Sequence, residues 1–248
     1  MPGKYRELVR EARHIHALRK AYRSFVGINE GDRYHYLHLP GRVWSTKSHE
    51  FWVLLSLILH RVQPGRLLEL GSGRSTVYLS EYAMKRGAEL VSVDQSAAWI
   101  AVNKLIARFG GLPDAFLHEV PLQSDGFYDV AELKSLSGQP DFVLIDGPVG
   151  RGTTQSQMAC LADLVSRADI VVLDDVHRRH ILEQVDALAD AGDLQRARYI
   201  EYPTSENAYP NALCLLYGER VAGVVEEAIE FVGIEAGSTY GPGDCPEP

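Results

Sequence analysis

Residues Arg66 to Thr76 read RLLELGSGRST, and this stretch decides the fold. Leu67, Leu68 and Leu70 form a short apolar run behind the turn signal Pro64-Gly65, which predicts a buried strand. Gly71 and Gly73 predict a tight turn, and Ser75 or Thr76 can open a helix over about 75–86. A strand that feeds a glycine turn and then a helix gathers backbone N–H groups and a helix N-terminus at one point. That point suits a nucleotide-like or carboxylate-bearing ligand. The next expected strand, Leu90 to Val93, runs out on Asp94, 23 residues after Gly71. A carboxylate at that station is placed to take ribose hydroxyls.

Working outward, short apolar strands alternate with helical patterns. Strands are expected at 67–70, 90–93, about 116–120, 142–145 and 170–173, with helices at 75–86, 97–109, 154–166 and 177–190. A long connection separates the third strand from the fourth. Strands 197–202 and 213–217 close the series without an intervening helix, which predicts an antiparallel finish. Such alternation implies an α/β fold, a mostly parallel sheet wound on both faces. Before it, His49 to Arg61 is apolar nearly all round and is expected to lie buried on the sheet, capped by Ser45 or Ser48.

Further upstream, residues 4–26 carry Tyr5, Leu8, Val9, Ala12, Ile15, Leu18, Tyr22 and Phe25 at helical spacing among Lys and Arg side chains. This basic amphipathic helix is expected to pack on the core or on a second copy of the chain, with a membrane surface as the disfavoured alternative. The aromatic and histidine-rich loop around Tyr34, His35, Tyr36, His38 and Trp44 can line a pocket or fill a seam. The expected organisation is a helical cap over 1–60, a core over 61–236 and a turn-rich tail, expected to be disordered, over 237–248.

The chain has 248 residues, ordinary hydrophobic content (46%) and a net charge of −8, which disfavours broad binding to nucleic acid. Cys160, Cys214 and Cys245 are widely spaced and offer neither a disulfide framework nor a zinc motif. With no signal-peptide pattern, the expected setting is cytoplasmic.

Glu69 sharpens the reading, because with it the turn becomes E-L-G-S-G-R-S. This resembles motif I of the class I S-adenosylmethionine-dependent methyltransferases, usually E/D-x-G-x-G-x-G, with Ser75 as its last member. The third glycine of a dinucleotide fingerprint is replaced by Thr76, which disfavours an NAD-linked oxidoreductase. The strand order resembles the seven-stranded, Rossmann-like methyltransferase core over roughly residues 60–220. The resemblance implies S-adenosylmethionine as cofactor, with Asp94 on the ribose and Glu69 with the Gly71–Gly73 turn on the amino-acid end. Ser72, Ser75, Thr76, Gln95, Ser124 and Asp146 complete the expected cofactor set.

In an open α/β sheet, ligands sit at the carboxyl ends of the strands. Those ends here are rich in acid: Asp94, Asp125, Asp146 and the pair Asp174-Asp175. Asp146, Asp174 and Asp175, on neighbouring strands, can converge on one hard cation. The pattern is similar to that of the metal-dependent, catechol-type O-methyltransferases, which implies Mg²⁺, or Mn²⁺ or Ca²⁺, holding two acceptor oxygens. Where that type carries a lysine, three residues after the first metal aspartate, Val149 stands here. His177 is then the candidate general base, beside Asp146 in the catalytic set. Asp175 as a helix cap, and His177 and His180 as solvated helix residues, are the plainer alternatives. The run DFVLIDGPVG…ADIVVLDDVHR also resembles bacterial methyltransferases with an I-D-G-P turn and a D-D-x-x-R strand end, whose acceptors vary.

The base-methylating signature [DN]-P-P-[YF] is absent; the residues after strand four are Asp146-Gly147-Pro148-Val149. The expectation is transfer of a methyl group to a hydroxyl of a small molecule, with possible homo-oligomer formation through the N-terminal helix. The alternatives are a metal-independent N- or O-methyltransferase using His177, and a non-catalytic nucleotide-binding protein.

Overall fold

The structure is a computed structural model. It describes residues 49–109, 111–148, 155–166, 168–174, 176, 185, 188, 189, 194, 196–202 and 211–232. The expected helix over 4–26, the aromatic loop after it, the caps Ser45 and Ser48, and the tail over 237–248 lie outside these residues, as do Asp175 and His177.

Helix α1 (His49–Val62) precedes the sheet. Strand β1 (Arg66–Leu70) leads through the glycine turn into α2 (Arg74–Arg86), and β2 (Glu89–Asp94) leads into α3 (Ala97–Phe109). Then follow β3 (Leu117–Glu119), α4 (Val130–Ser137), β4 (Phe142–Ile145), α5 (Gln155–Val165) and β5 (Ile170–Leu173). Strands β6 (Arg196–Tyr202) and β7 (Asn211–Tyr217) and helix α6 (Glu219–Val232) complete the described elements. The strands join in one sheet in the order β3-β2-β1-β4-β5-β7-β6. Pairing is parallel from β3 to β5, whereas β7 runs antiparallel to both β5 and β6. The antiparallel finish follows from the short connection, residues 203–210, between β6 and β7, since a parallel pair needs a crossover of about a dozen residues or more.

Successive strand residues point to opposite faces, and both faces are covered. Leu67, Phe142, Leu144, Ile170, Val172, Leu213 and Leu215 share one core with α1, α2 and α6. Their neighbours Leu68, Leu70, Val143, Ile145, Val171, Leu173 and Leu216 share the other, with Phe127, Tyr128 and Leu133 from the β3–β4 connection and Leu161 and Leu164 of α5. Burying every residue of β4 and β5 explains why these two strands read as continuous apolar runs rather than alternating ones. In α1, Leu54 through Leu59 are all buried, as a helix apolar all round requires.

Two helices were not expected from the sequence. The eight residues of α4 lie inside the long connection, held by Asp129, whose side chain accepts from Glu132 N, and ended by Gly138 in a positive-φ conformation. In α6, Val221, Ala222, Val225, Ala228 and Ile229 form a buried stripe, and the helix packs on α1. Of the expected helix 177–190, residues 185, 188 and 189 are described and helical, and Val185 and Leu188 are buried.

The order places β1 between β2 and β4, so the sheet is wound in opposite senses on either side of it. This topological switch point is where a crevice opens in such sheets.

Candidate functional site: the switch point between strands β1, β2 and β4

The loop after β1 and the loop after β4 meet at the switch point. Gly71 has φ +93°, and a Cβ there would lie 2.8 Å from Gly147 N. A Cβ on Gly147 would lie 2.9 Å from Gly71 Cα. Only glycine fits at these two positions, because each backbone fills the space the other's side chain would need. Gly73 is different. Its φ of −172° is ordinary extended backbone, and a Cβ there would meet nothing within 4 Å among the described residues.

Beneath the turn lies Glu69, fully buried at 0% exposure. Its Oε2 accepts from Thr76 Oγ1 at 2.6 Å and from Ser92 Oγ at 2.5 Å. Thr76 Oγ1 itself accepts from Gly73 N at 2.7 Å, so the hydroxyl links the N-cap backbone to the carboxyl group below. Glu69 Oε1 has no hydrogen-bond partner among the described residues. Burial pushes the Glu69 carboxyl up to about 7 from its ordinary 4.5; the hydroxyls of Ser75, Ser92 and Thr76 oppose the rise and the Asp146 charge adds to it. Glu69 was expected to hold the amino-acid end of a cofactor. In the structure its Oε2 is taken by the Thr76 and Ser92 hydroxyls, and Ser75 and Thr76 are buried with it.

Asp94 ends β2 at the rim, 7% exposed. Its Oδ2 accepts from Ser72 N at 3.2 Å and its Oδ1 from Ser96 N at 2.9 Å. Burial raises its pKa, opposed by the N–H groups of Ser96, Ser72 and Gln95 and by the Ser72 hydroxyl. Each oxygen has taken one backbone N–H, and a carboxylate oxygen can accept more than one hydrogen bond. Gln95 is exposed next to it, and its Oε1 accepts from Tyr128 Oη at 3.1 Å. The buried Tyr128 hydroxyl also lies against Gly147, so one side chain braces the loops after β2 and β4.

The structure adds Trp99, Asn103 and Tyr128 to the residues anticipated from the sequence. Trp99 Nε1 donates to Ser72 O, and Asn103 Nδ2 donates to Ser72 Oγ at 3.0 Å. Their i, i+4 spacing at the start of α3 was readable; the loop they grip was not. Ser124 lies on an exposed turn closed by the Leu122–Tyr128 bridge.

Asp146 and Asp174 follow the paired residues Ile145 and Leu173 of β4 and β5, so they leave the sheet side by side. Asp146 is half-buried, and Asp174 is 3% exposed with its N–H on Ile145 O at 3.0 Å. Among the described residues no group of three His, Cys, Asp or Glu side chains could hold a metal ion. Of the expected trio the structure describes two members, and the candidate base His177 lies outside the described residues. No helix among the described residues is long and apolar enough to cross a membrane.

Parallel strands wound outward from a glycine turn, closed by an antiparallel strand inserted next to β5, give the chain the fold of the class I S-adenosylmethionine-dependent methyltransferases. Two solved structures carry that comparison. An O-methyltransferase from Bacillus cereus in complex with SAH aligns with TM-score 0.50 and 13% identity, over 81% of this chain and 90% of that one. The O-methyltransferase TomG from Streptomyces achromogenes, in complex with SAM, aligns with TM-score 0.50 and 14% identity, over 83% and 89%. No protein-family model and no curated protein matches the sequence. Identities of this size show the fold; what the site does must come from its residues.

Proposed function

We propose that this chain is an S-adenosylmethionine-dependent methyltransferase acting on a hydroxyl of a small molecule. The observation that carries the reading is the carboxylate of Asp94. It is fixed at the rim by Ser72 N and Ser96 N, beside the glycine turn, where a Cβ on Gly73 would meet none of the described residues within 4 Å. The residues present fit the cofactor. Asp94 retains acceptor capacity for two ribose hydroxyls. The first turn of α2 carries no acidic side chain, so its N–H groups suit a carboxylate. When bound, S-adenosylmethionine supplies a sulfonium-activated methyl group. The chain's part is to hold the nucleoside through Asp94 and the amino-acid end through the Gly71–Gly73 backbone. It also aims an acceptor oxygen from the β4 and β5 ends in line with that methyl.

An oxygen acceptor is favoured by the acidic strand ends, where the Asp146 and Asp174 carboxylates can accept a hydrogen bond from a hydroxyl. A second reading adds a divalent cation. The register that sets Asp146 beside Asp174 favours it, since two carboxylates from adjacent strand ends provide the hard oxygen donors Mg²⁺ prefers. In the metal-independent form, His177 takes the hydroxyl proton.

A screen of small hydroxylated acceptors, read by S-adenosylhomocysteine release with and without EDTA, tests both readings. The expected result is release with at least one phenolic or catecholic acceptor. Abolition by EDTA assigns the cation, and full activity in EDTA removes it. Tight cofactor binding with no release across hydroxyl and amine acceptors would replace the enzyme by a binding protein.

A further inference from the structure

Three contacts on one serine single out a residue that the reaction itself does not touch. Ser72 is clasped by all of its polar groups. Its N–H donates to Asp94 Oδ2 at 3.2 Å, its carbonyl accepts from Trp99 Nε1, and its hydroxyl accepts from Asn103 Nδ2 at 3.0 Å. Trp99 and Asn103 stand one turn apart on α3, so the helix that follows β2 grips the loop that follows β1. Asn103 is 3% exposed, and its Oδ1 has no hydrogen-bond partner among the described residues.

That orphan oxygen is informative. A buried acceptor without a partner is costly, and turning the amide over would let the Ser72 hydroxyl donate to Oδ1. The hydroxyl proton would then be committed to Asn103, and two amide donors would be buried in place of one acceptor. The arrangement present keeps the N–H of Ser72 on the carboxylate and its hydroxyl oxygen on Asn103 Nδ2.

We infer that Asn103 is a positioning residue for ribose recognition: through Ser72 it holds the Asp94 carboxylate in the orientation that accepts the two hydroxyls. The assignment rests on the methyltransferase reading of the site. A residue that acts only on folding would weaken all ligands alike. A residue that orients Asp94 affects the ribose hydroxyls selectively, because the amino-acid end is held by the Gly71–Gly73 backbone.

The test compares S-adenosylhomocysteine with its 2′-deoxy analogue by calorimetry on the full chain. Wild type should prefer the ribonucleoside by about tenfold or more, the size expected for a hydrogen bond to a charged group. In Asn103→Leu the preference should shrink to about twofold, with the deoxy analogue binding nearly as in wild type. Ser72→Ala, which keeps the backbone N–H on Asp94 and removes only the hydroxyl, should show the same loss of preference. It carries the test if Asn103→Leu fails to fold. A folded Asn103→Leu or Ser72→Ala that keeps the wild-type preference would overturn the assignment while leaving the cofactor reading intact. If wild type binds neither ligand, the cofactor reading falls and the assignment with it.

Discussion

Glu69→Gln should make the protein's stability less dependent on pH, and the size of the change follows from where the carboxyl lies. Glu69 is fully buried, two hydroxyls donate to one of its oxygens, and its pKa is pushed up to about 7. In the unfolded chain the same group titrates near its ordinary 4.5. Between those values the native state binds the extra proton, so stability falls as pH rises through the window. The contribution is fully present below pH 4.5 and lost above pH 7. Two linked titrations at these pKa values shift wild-type stability by about 2–3 kcal/mol between pH 5 and pH 8. The substituted amide keeps an acceptor for Thr76 and Ser92 and never ionises, so this part of the slope vanishes. Urea unfolding of both proteins at pH 5 and pH 8 measures it. The variant should gain about 2–3 kcal/mol on wild type at pH 8 relative to the same comparison at pH 5. An equal difference at both pH values would refute the claim that burial keeps this carboxyl protonated.

The glycines of the turn should separate fold from binding. Gly71→Ala forces a side chain into a positive-φ backbone and against Gly147, so it should cost at least about 2 kcal/mol and lower Tm by roughly 5 °C or more. Gly73→Ala meets none of the described residues and should leave Tm within about 2 °C while weakening S-adenosylmethionine binding at least about tenfold; unchanged affinity would move the amino-acid end away from this turn. Asp94→Ala should weaken the same binding by about 1–3 kcal/mol in a folded protein, read by calorimetry. Asp174→Asn should depress methyl transfer severely and leave cofactor affinity nearly intact, and full activity in the variant would remove Asp174 from the acceptor side.

Much of the fold was legible because its signals are local and repeated. The strand–glycine–helix unit at 66–76 and the apolar runs at 142–145 and 170–173 have lengths and flanks that leave little choice. Helix α4 was missed because eight residues give only two turns of periodicity, although Asp129, Glu132 and Gly138 marked its ends. Helix α6 was missed although its apolar spacing was present from Val221 to Ile229. At the site, Asp94 and the glycines could be placed by chain position alone. The complete burial of Glu69 was not legible, because burial depends on which layer lies above a residue. The grip of Trp99 and Asn103 on Ser72 spans 27 and 31 residues, a relation that only the pairing of β1 with β2 creates.

The central claim is that the switch point binds S-adenosylmethionine through Asp94 and the Gly71–Gly73 turn. Titration of the full chain with S-adenosylmethionine, S-adenosylhomocysteine and NAD by calorimetry tests it most directly. One site for each of the first two, no heat with NAD, and a weakened site in Asp94→Ala are the predicted results. Binding of NAD in place of S-adenosylmethionine, or S-adenosylmethionine affinity unchanged in a folded Asp94→Ala, would contradict it.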